Sequence, residues 1–149
     1  MTNWIDDEAE KQSAKKAELE RKNYLINFSN YWGDLIRQIG VDIETMNRHP
    51  AWNDRLGRKP IKISGDGGGY EIRQITWPAI IVRINNQGNW VEIKTTTRKS
   101  FDDEPKTHSE RLKVNSDGER IYLESGKEIL YVPEEASQYI LKPIVDSLV

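Results

Sequence analysis

At 149 residues the chain is one domain long, and a chain of this size buries roughly two-thirds of the surface its unfolded form exposes. Hydrophobic residues make up 36% and charged residues 31%, with five Trp and six Tyr to supplement a modest aliphatic content. A net charge of -2 gives no global field for nucleic acid or an anionic membrane, and the lack of cysteine excludes disulfides, thiol nucleophiles and thiolate zinc sites.

The first ten residues are acidic and lack the apolar run of a signal peptide. No stretch approaches the ~20 apolar residues of a membrane span. The expectation is a soluble, cytoplasmic protein without a membrane contact.

Asp6 to Lys22 is rich in Ala, Glu and Lys, with Asp7/Lys11 and Glu18/Lys22 placed as acid-then-base pairs one helical turn apart. Residues 1–22 therefore read as a charged helical extension with almost no apolar face, leaving 23–149 as a single α+β domain. From Tyr24 the pattern changes. Leu25, Phe28, Trp32, Leu35 or Ile36, and Ile39 recur at three- and four-residue steps and form one apolar stripe. Gly40 follows, where a left-handed terminating residue is wanted, so the helix is expected to end there. Asp42 is then placed to cap a brief second helix through Met46, closed by His49 and Pro50.

Residues 51–59 form a connector holding Trp52, Arg55, Arg58 and Lys59. Strands follow, with Ile61 to Ile63 and Tyr70 to Ile75 flanking the bend Gly65 to Gly69. Ala79 to Ile84 and Trp90 to Thr95 make a hairpin. Pairing Ile84 with Val91 and Val82 with Ile93 sets Arg83 opposite Glu92 and Ile81 opposite Lys94 on the other face. Asp117 and Gly118 supply a two-residue turn, placing Leu112 opposite Leu123 and Val114 opposite Ile121. Ser125 and Gly126 turn the chain into a last strand over Glu128 to Val132. Between the hairpins, Arg98 to Ser109 shows neither period and reads as a mobile loop. Pro133, Glu134 and Glu135 suit the positive end of a closing helix, whose apolar line is Ala136, Ile140, Ile144 and Leu148, with Pro143 as a kink or restart.

The fold class is thus α+β: an N-terminal helix, an antiparallel meander of about six or seven strands, and a C-terminal helix packed on the sheet.

Motifs for chemistry are sparse. The Gly65 to Gly69 run leads into a strand, not the helix that a phosphate loop requires, and reads as a flexible turn. His49 and His108 lack metal-ligand spacing and read as surface residues. The acidic run Asp102 to Glu104 lacks the order of a calcium loop and reads as solvated. Two basic runs, Arg55 to Lys62 and Lys94 to Lys99, would make an anion patch if they converged at one end of the sheet, near Trp52 and Trp90. The excess of acidic over basic residues, 24 to 22, favours interleaved surface charge and disfavours nucleic acid as a partner.

What remains is a non-enzymatic interaction or accessory module, with another protein or a second copy of the chain as partner and no cofactor. Ile81 and Trp90, with Arg83 and Lys94, lie on the second face of the sheet and mark a contact surface if both helices pack on the first. The alternative is a small-molecule pocket between sheet and helices, lined by Trp32, Tyr139, Trp77 or Tyr131.

Overall fold

The computed structural model describes residues 10–12, 28–56, 59–118 and 120–148. Of the charged extension expected over 1–22, only Glu10 to Gln12 fall within these residues, and they are helical. The start of the apolar stripe at Tyr24 and Leu25 lies outside them, as does Arg58.

Helix α1, Phe28–Arg48, passes straight through Gly40, so the expected break and second helix merge into one rod. Burial explains the difference. The stripe of Tyr31, Trp32, Leu35 and Ile39 continues into Ile43 and Met46, all buried. Burying two such side chains contributes about 1.5–3 kcal/mol each, against a glycine penalty of about 1 kcal/mol. Asp42 is not a cap. Its carboxylate accepts from Gln38 Nε2 at 2.9 Å and from Ser137 Oγ at 2.6 Å, tying α1 to the C-terminal helix. Asn47 then holds the connector through both of its amide atoms, accepting from Ile61 N at 2.8 Å and donating to Ile61 O at 2.9 Å. A single turn, α2 at Asn53–Leu56, buries Leu56 on the way.

Seven strands follow in sequence order, each antiparallel to the next: β1 Lys62–Gly65, β2 Gly69–Gln74, β3 Ala79–Asn86, β4 Trp90–Arg98, β5 Lys106–Ser116, β6 Ile121–Glu124 and β7 Ile129–Leu130. Helix α3, Pro133–Leu148, runs through Pro143. The architecture is the α+β meander expected.

Two registers differ from expectation by two residues. Ile84 pairs with Ile93 and Arg83 with Lys94, while Val114 pairs with Leu123 and Lys113 with Glu124. In each hairpin the glycine occupies the first position of the turn, with φ +89° at Gly88 and +96° at Gly118. Asp117 belongs to the flanking pair, and its carboxylate accepts from Arg120 N at 2.9 Å and Arg120 Nη2 at 3.1 Å. Moving the turn centre by one residue moves the partner by two, which leaves every side chain on its expected face.

The loop expected over Arg98 to Ser109 also shortens. The β-branched run Thr95 to Thr97 pairs with Lys106 to His108, which leaves only residues 99–105 outside strands. Arg98 fastens that loop by donating to the carbonyls of Phe101 and Asp103.

The core lies on one face of the sheet. Ile72, Gln74, Ile80, Val82, Ile84, Val91, Ile93, Leu112, Ile121, Leu123 and Leu130 are buried at alternating positions, while no described residue of the opposite face is. Both long helices contribute to this one cluster, through Tyr31, Leu35 and Ile39 from α1 and Ile140 and Ile144 from α3. The sheet curls around α1. Trp32 Nε1 donates to Gly67 O in the β1–β2 turn at 2.6 Å, and Tyr31 Oη donates to Leu130 O in β7 at 2.8 Å. Neighbouring residues of one helix thereby reach both edges of a sheet that would span about 28–29 Å if flat.

Because Gly40 is helical and has open space where a Cβ would stand, Gly40→Ala is expected to stabilise the fold by about 0.5–1 kcal/mol. The measurement is the urea midpoint; a lowered midpoint would contradict the continuous helix.

Candidate functional site

Two regions could hold a partner or ligand: the uncovered face of the sheet and a cavity beside α3. The uncovered face follows from strand alternation. With Ile72, Val82 and Ile93 turned inward, Glu71, Arg73, Ile81, Arg83, Glu92 and Lys94 turn outward. Four of the residues expected to mark a contact surface, Ile81, Arg83, Trp90 and Lys94, therefore share this face.

Their surroundings are mostly charged. Arg83 stands directly across from Lys94, and Lys62 directly across from Arg73. Glu71 lies 2.6 Å from Arg73 and 3.9 Å from Arg83, and Glu92 lies 3.6 Å from Lys94. Trp90 is half-buried beneath Arg111, whose guanidinium carbon sits 4.6 Å from the ring centre. That stacking shields the indole while leaving the cation at the surface. Ile81 is half-buried between Arg73 and Thr96, its cross-strand neighbours.

The cavity, about 780 Å³, lies between β5, the β6–β7 turn and α3. Tyr139 forms part of its wall and donates its hydroxyl to Glu110 Oε2 at 2.7 Å. Glu110 sits on the inner face of β5, two residues before Leu112, opposite Ile93. Burial above all, then the hydrogen bond to Glu110 and the charge of that carboxylate, hold the Tyr139 phenol above its usual 10.0, with Ser125 pulling weakly the other way. The remaining wall is mixed, with Lys127, Glu128, Glu135, Gln138 and Lys142 beside Ile129 and Leu130.

The four aromatics expected to line one pocket are not brought together. Trp32 is in the core, its ring 6.2 Å from Phe28 and 6.1 Å from Tyr70. Trp77 is 44% exposed in the β2–β3 loop near Arg98. Tyr131 packs on Tyr122 at 5.5 Å. Only Tyr139 faces the cavity, and its partner Glu110, just beyond the segment Arg98 to Ser109 read as a loop, is not among the residues the sequence singles out. The alternation back from Leu112 was the signal that placed Glu110 inward.

Both histidines are exposed. His49 Nδ1 accepts from Ala51 N at 3.1 Å, and His108 pairs across from Thr95 on the opposite face of β5 from Ser109. The glycine bend is a tight β-turn. A Cβ on Gly65 would overlap the Gly69 carbonyl and the Tyr70 ring, and the Gly67 carbonyl is taken by Trp32. The two basic runs end at the same end of the sheet, where β1 begins and β4 finishes, but three strand spacings, about 14 Å, separate them.

Among the described residues, no group of three or more His, Asp or Glu is placed to hold a metal ion, and no helix is long and apolar enough to cross a membrane. No protein-family model, curated protein or solved structure matches the chain, so the reading rests on its own chemistry.

A raised tyrosine pKa means that the stability from this contact is fully present below pH ~10 and is lost as pH rises through the folded value. Ultraviolet titration is expected to show one late-ionising tyrosine that disappears in Tyr139→Phe. Glu110→Gln removes the repelling charge and should bring that tyrosine back toward the others; an unchanged titration would mean that Glu110 contributes nothing.

Proposed function

We propose that this chain is a non-enzymatic protein-interaction module that docks its partner on the uncovered face of the sheet. The observation that supports this reading is the one-sided packing of the fold. Both helices occupy the inner face, so among the described residues Ile81 and Trp90 are half-buried by side chains of the sheet itself. A partner laid across Ile81 would remove apolar surface from water at about 25 cal/mol per Å² and would meet cations on either side. Arg83, Lys94 and Arg111 would then set orientation and encounter rate, which is what charged groups around an apolar centre chiefly contribute. A second copy of the chain is one candidate partner. The lack of cysteine suits a reducing compartment, and we place the module in the cytoplasm.

The cavity supports a second reading, in which a small polar molecule binds beside α3. Its volume falls within the range of ligand sites, ~300–1,000 Å³. Its walls carry Glu110, Glu128, Glu135, Lys127 and Lys142, so such a ligand would be polar or zwitterionic. A mostly apolar lining is the commoner pattern for small-molecule sites, which is why the sheet face is preferred.

The two readings separate cleanly by experiment. Affinity capture with the full chain should retain one or more proteins on the wild type and on Tyr139→Phe. Ile81→Asp, with an unchanged circular dichroism spectrum, should lose them. Loss with Tyr139→Phe but not with Ile81→Asp would transfer the function to the cavity, as would an added small-molecule mass in the native mass spectrum.

A further inference from the structure

The uncovered sheet face carries more positive charge than the chain as a whole. Besides Arg98, whose guanidinium is taken by loop carbonyls, six cations point outward, Lys62, Arg73, Arg83, Lys94, Arg111 and Lys113, against three carboxylates, Glu71, Glu92 and Glu124. This face has a surplus of positive charge on a chain whose net charge is -2. Two of the cation pairs, Lys62 with Arg73 and Arg83 with Lys94, are direct cross-strand neighbours. Like charges in that position oppose sheet formation. Among the described residues, Lys62 and Lys113 have no ion pair within 4.0 Å, and Arg111 lies against the Trp90 ring. Glu71, Glu92 and Glu124 stand across strands from Arg83, Arg111 and Lys113, which offsets three of the six charges and leaves the face three carboxylates short of neutrality.

We infer that the partner docked on this face presents an acidic polypeptide segment, whose carboxylates lie over the Arg83–Lys94 pair and Arg111, with an apolar side chain at Ile81. This rests on the protein-docking reading above and specifies its chemistry. Carboxylates brought between two opposed cations relieve their repulsion and gain charge-assisted hydrogen bonds from both. A nucleic acid is the poorer fit for two reasons. Glu71, Glu92 and Glu124 interrupt the cations and would repel successive phosphates. The aromatic rings of this face are already engaged, Trp90 by Arg111 and Tyr122 by Tyr131, which leaves no open platform for stacked bases.

The probe is a fluorescein-labelled decapeptide of Glu and Asp with one central Leu, titrated with the full-length chain and followed by anisotropy. Binding is expected to weaken as salt is raised. The double variant Arg83→Glu/Lys94→Glu should weaken it by at least about tenfold, while Lys127→Glu/Lys142→Glu, the same charge change placed at the cavity, should leave it within about twofold. If the double reversal fails to fold, Lys94→Gln serves instead, with an expected loss of about threefold and a melting temperature no lower than that of the wild type, because one opposed cation has gone. The inference is overturned by absence of binding at low salt, by equal losses in the cavity control, or by tighter binding of a single-stranded oligothymidylate than of the peptide. Failure here with Ile81-dependent protein capture intact would remove the acidic partner and keep the docking face; loss of both would remove the face.

Discussion

The arrangement depends on α1 being held by both edges of the sheet. Tyr31 reaches β7 and Trp32 reaches the β1–β2 turn, from consecutive positions on a helix only about 10–12 Å wide with its side chains. A flat seven-stranded sheet cannot meet both, so the curl and the helix specify each other. Each bond also satisfies a backbone carbonyl near a sheet edge. Left unpaired in the interior, such a group would cost about 1–3 kcal/mol. The two aromatic side chains thus couple apolar burial to polar satisfaction at the two places where an open sheet is weakest.

Curling around one helix leaves little concave surface for the other. Helix α3 completes the layer by packing along α1, where Ser137 bonds to Asp42, and by closing the β2–β3 loop, where Gln74 donates to Pro78 O at 2.8 Å and to Ser147 Oγ at 3.1 Å. Gln74 is almost wholly buried, and a glutamine there is tolerated because its amide has carbonyl and hydroxyl partners on every side. With both helices committed to the concave side, no described helix covers the convex side. Its residues are exposed or half-buried as a consequence of the topology.

Much of this was legible from the residues, and the misses share a physical cause. Alternation assigned Ile80 to Ile84 and Val91 to Ile93 to their correct faces because a period of two is insensitive to a two-residue slip. The same insensitivity hid the register. Only the glycine conformations decide whether Gly88 and Gly118 open the turn or close it. Gly40 misled for a different reason: a glycine after an apolar stripe marks a helix end only when nothing beyond it needs burying, and Ile43 and Met46 do. The pocket aromatics were illegible because alternation within a strand says which face a side chain takes, not which residues of a distant helix meet it. Glu110 and Tyr139 are 29 positions apart and belong to elements whose relative placement is set by the curl.

The register matters for function as well as for the fold. In the slipped pairing Arg83 would face Glu92 on one side and Glu71 on the other, with the same charges on the convex surface. In the observed pairing Arg83 faces Lys94 on β4 while Glu71 stays across from it on β2, and Glu92 faces Arg111 on β5. Surface ion pairs are worth about 0–1 kcal/mol, and those of Glu71 with Arg83 across strands and of Glu92 with Lys94 within β4 span 3.9 Å and 3.6 Å, so they only partly neutralise the face. The choice of turn residue at Gly88 therefore does more than close a hairpin. By fixing which residues oppose one another, it concentrates positive potential at the centre of the one surface the helices leave open. Over the short range of about 8 Å at which charges are felt at physiological salt, that local surplus outweighs the chain's small negative net charge.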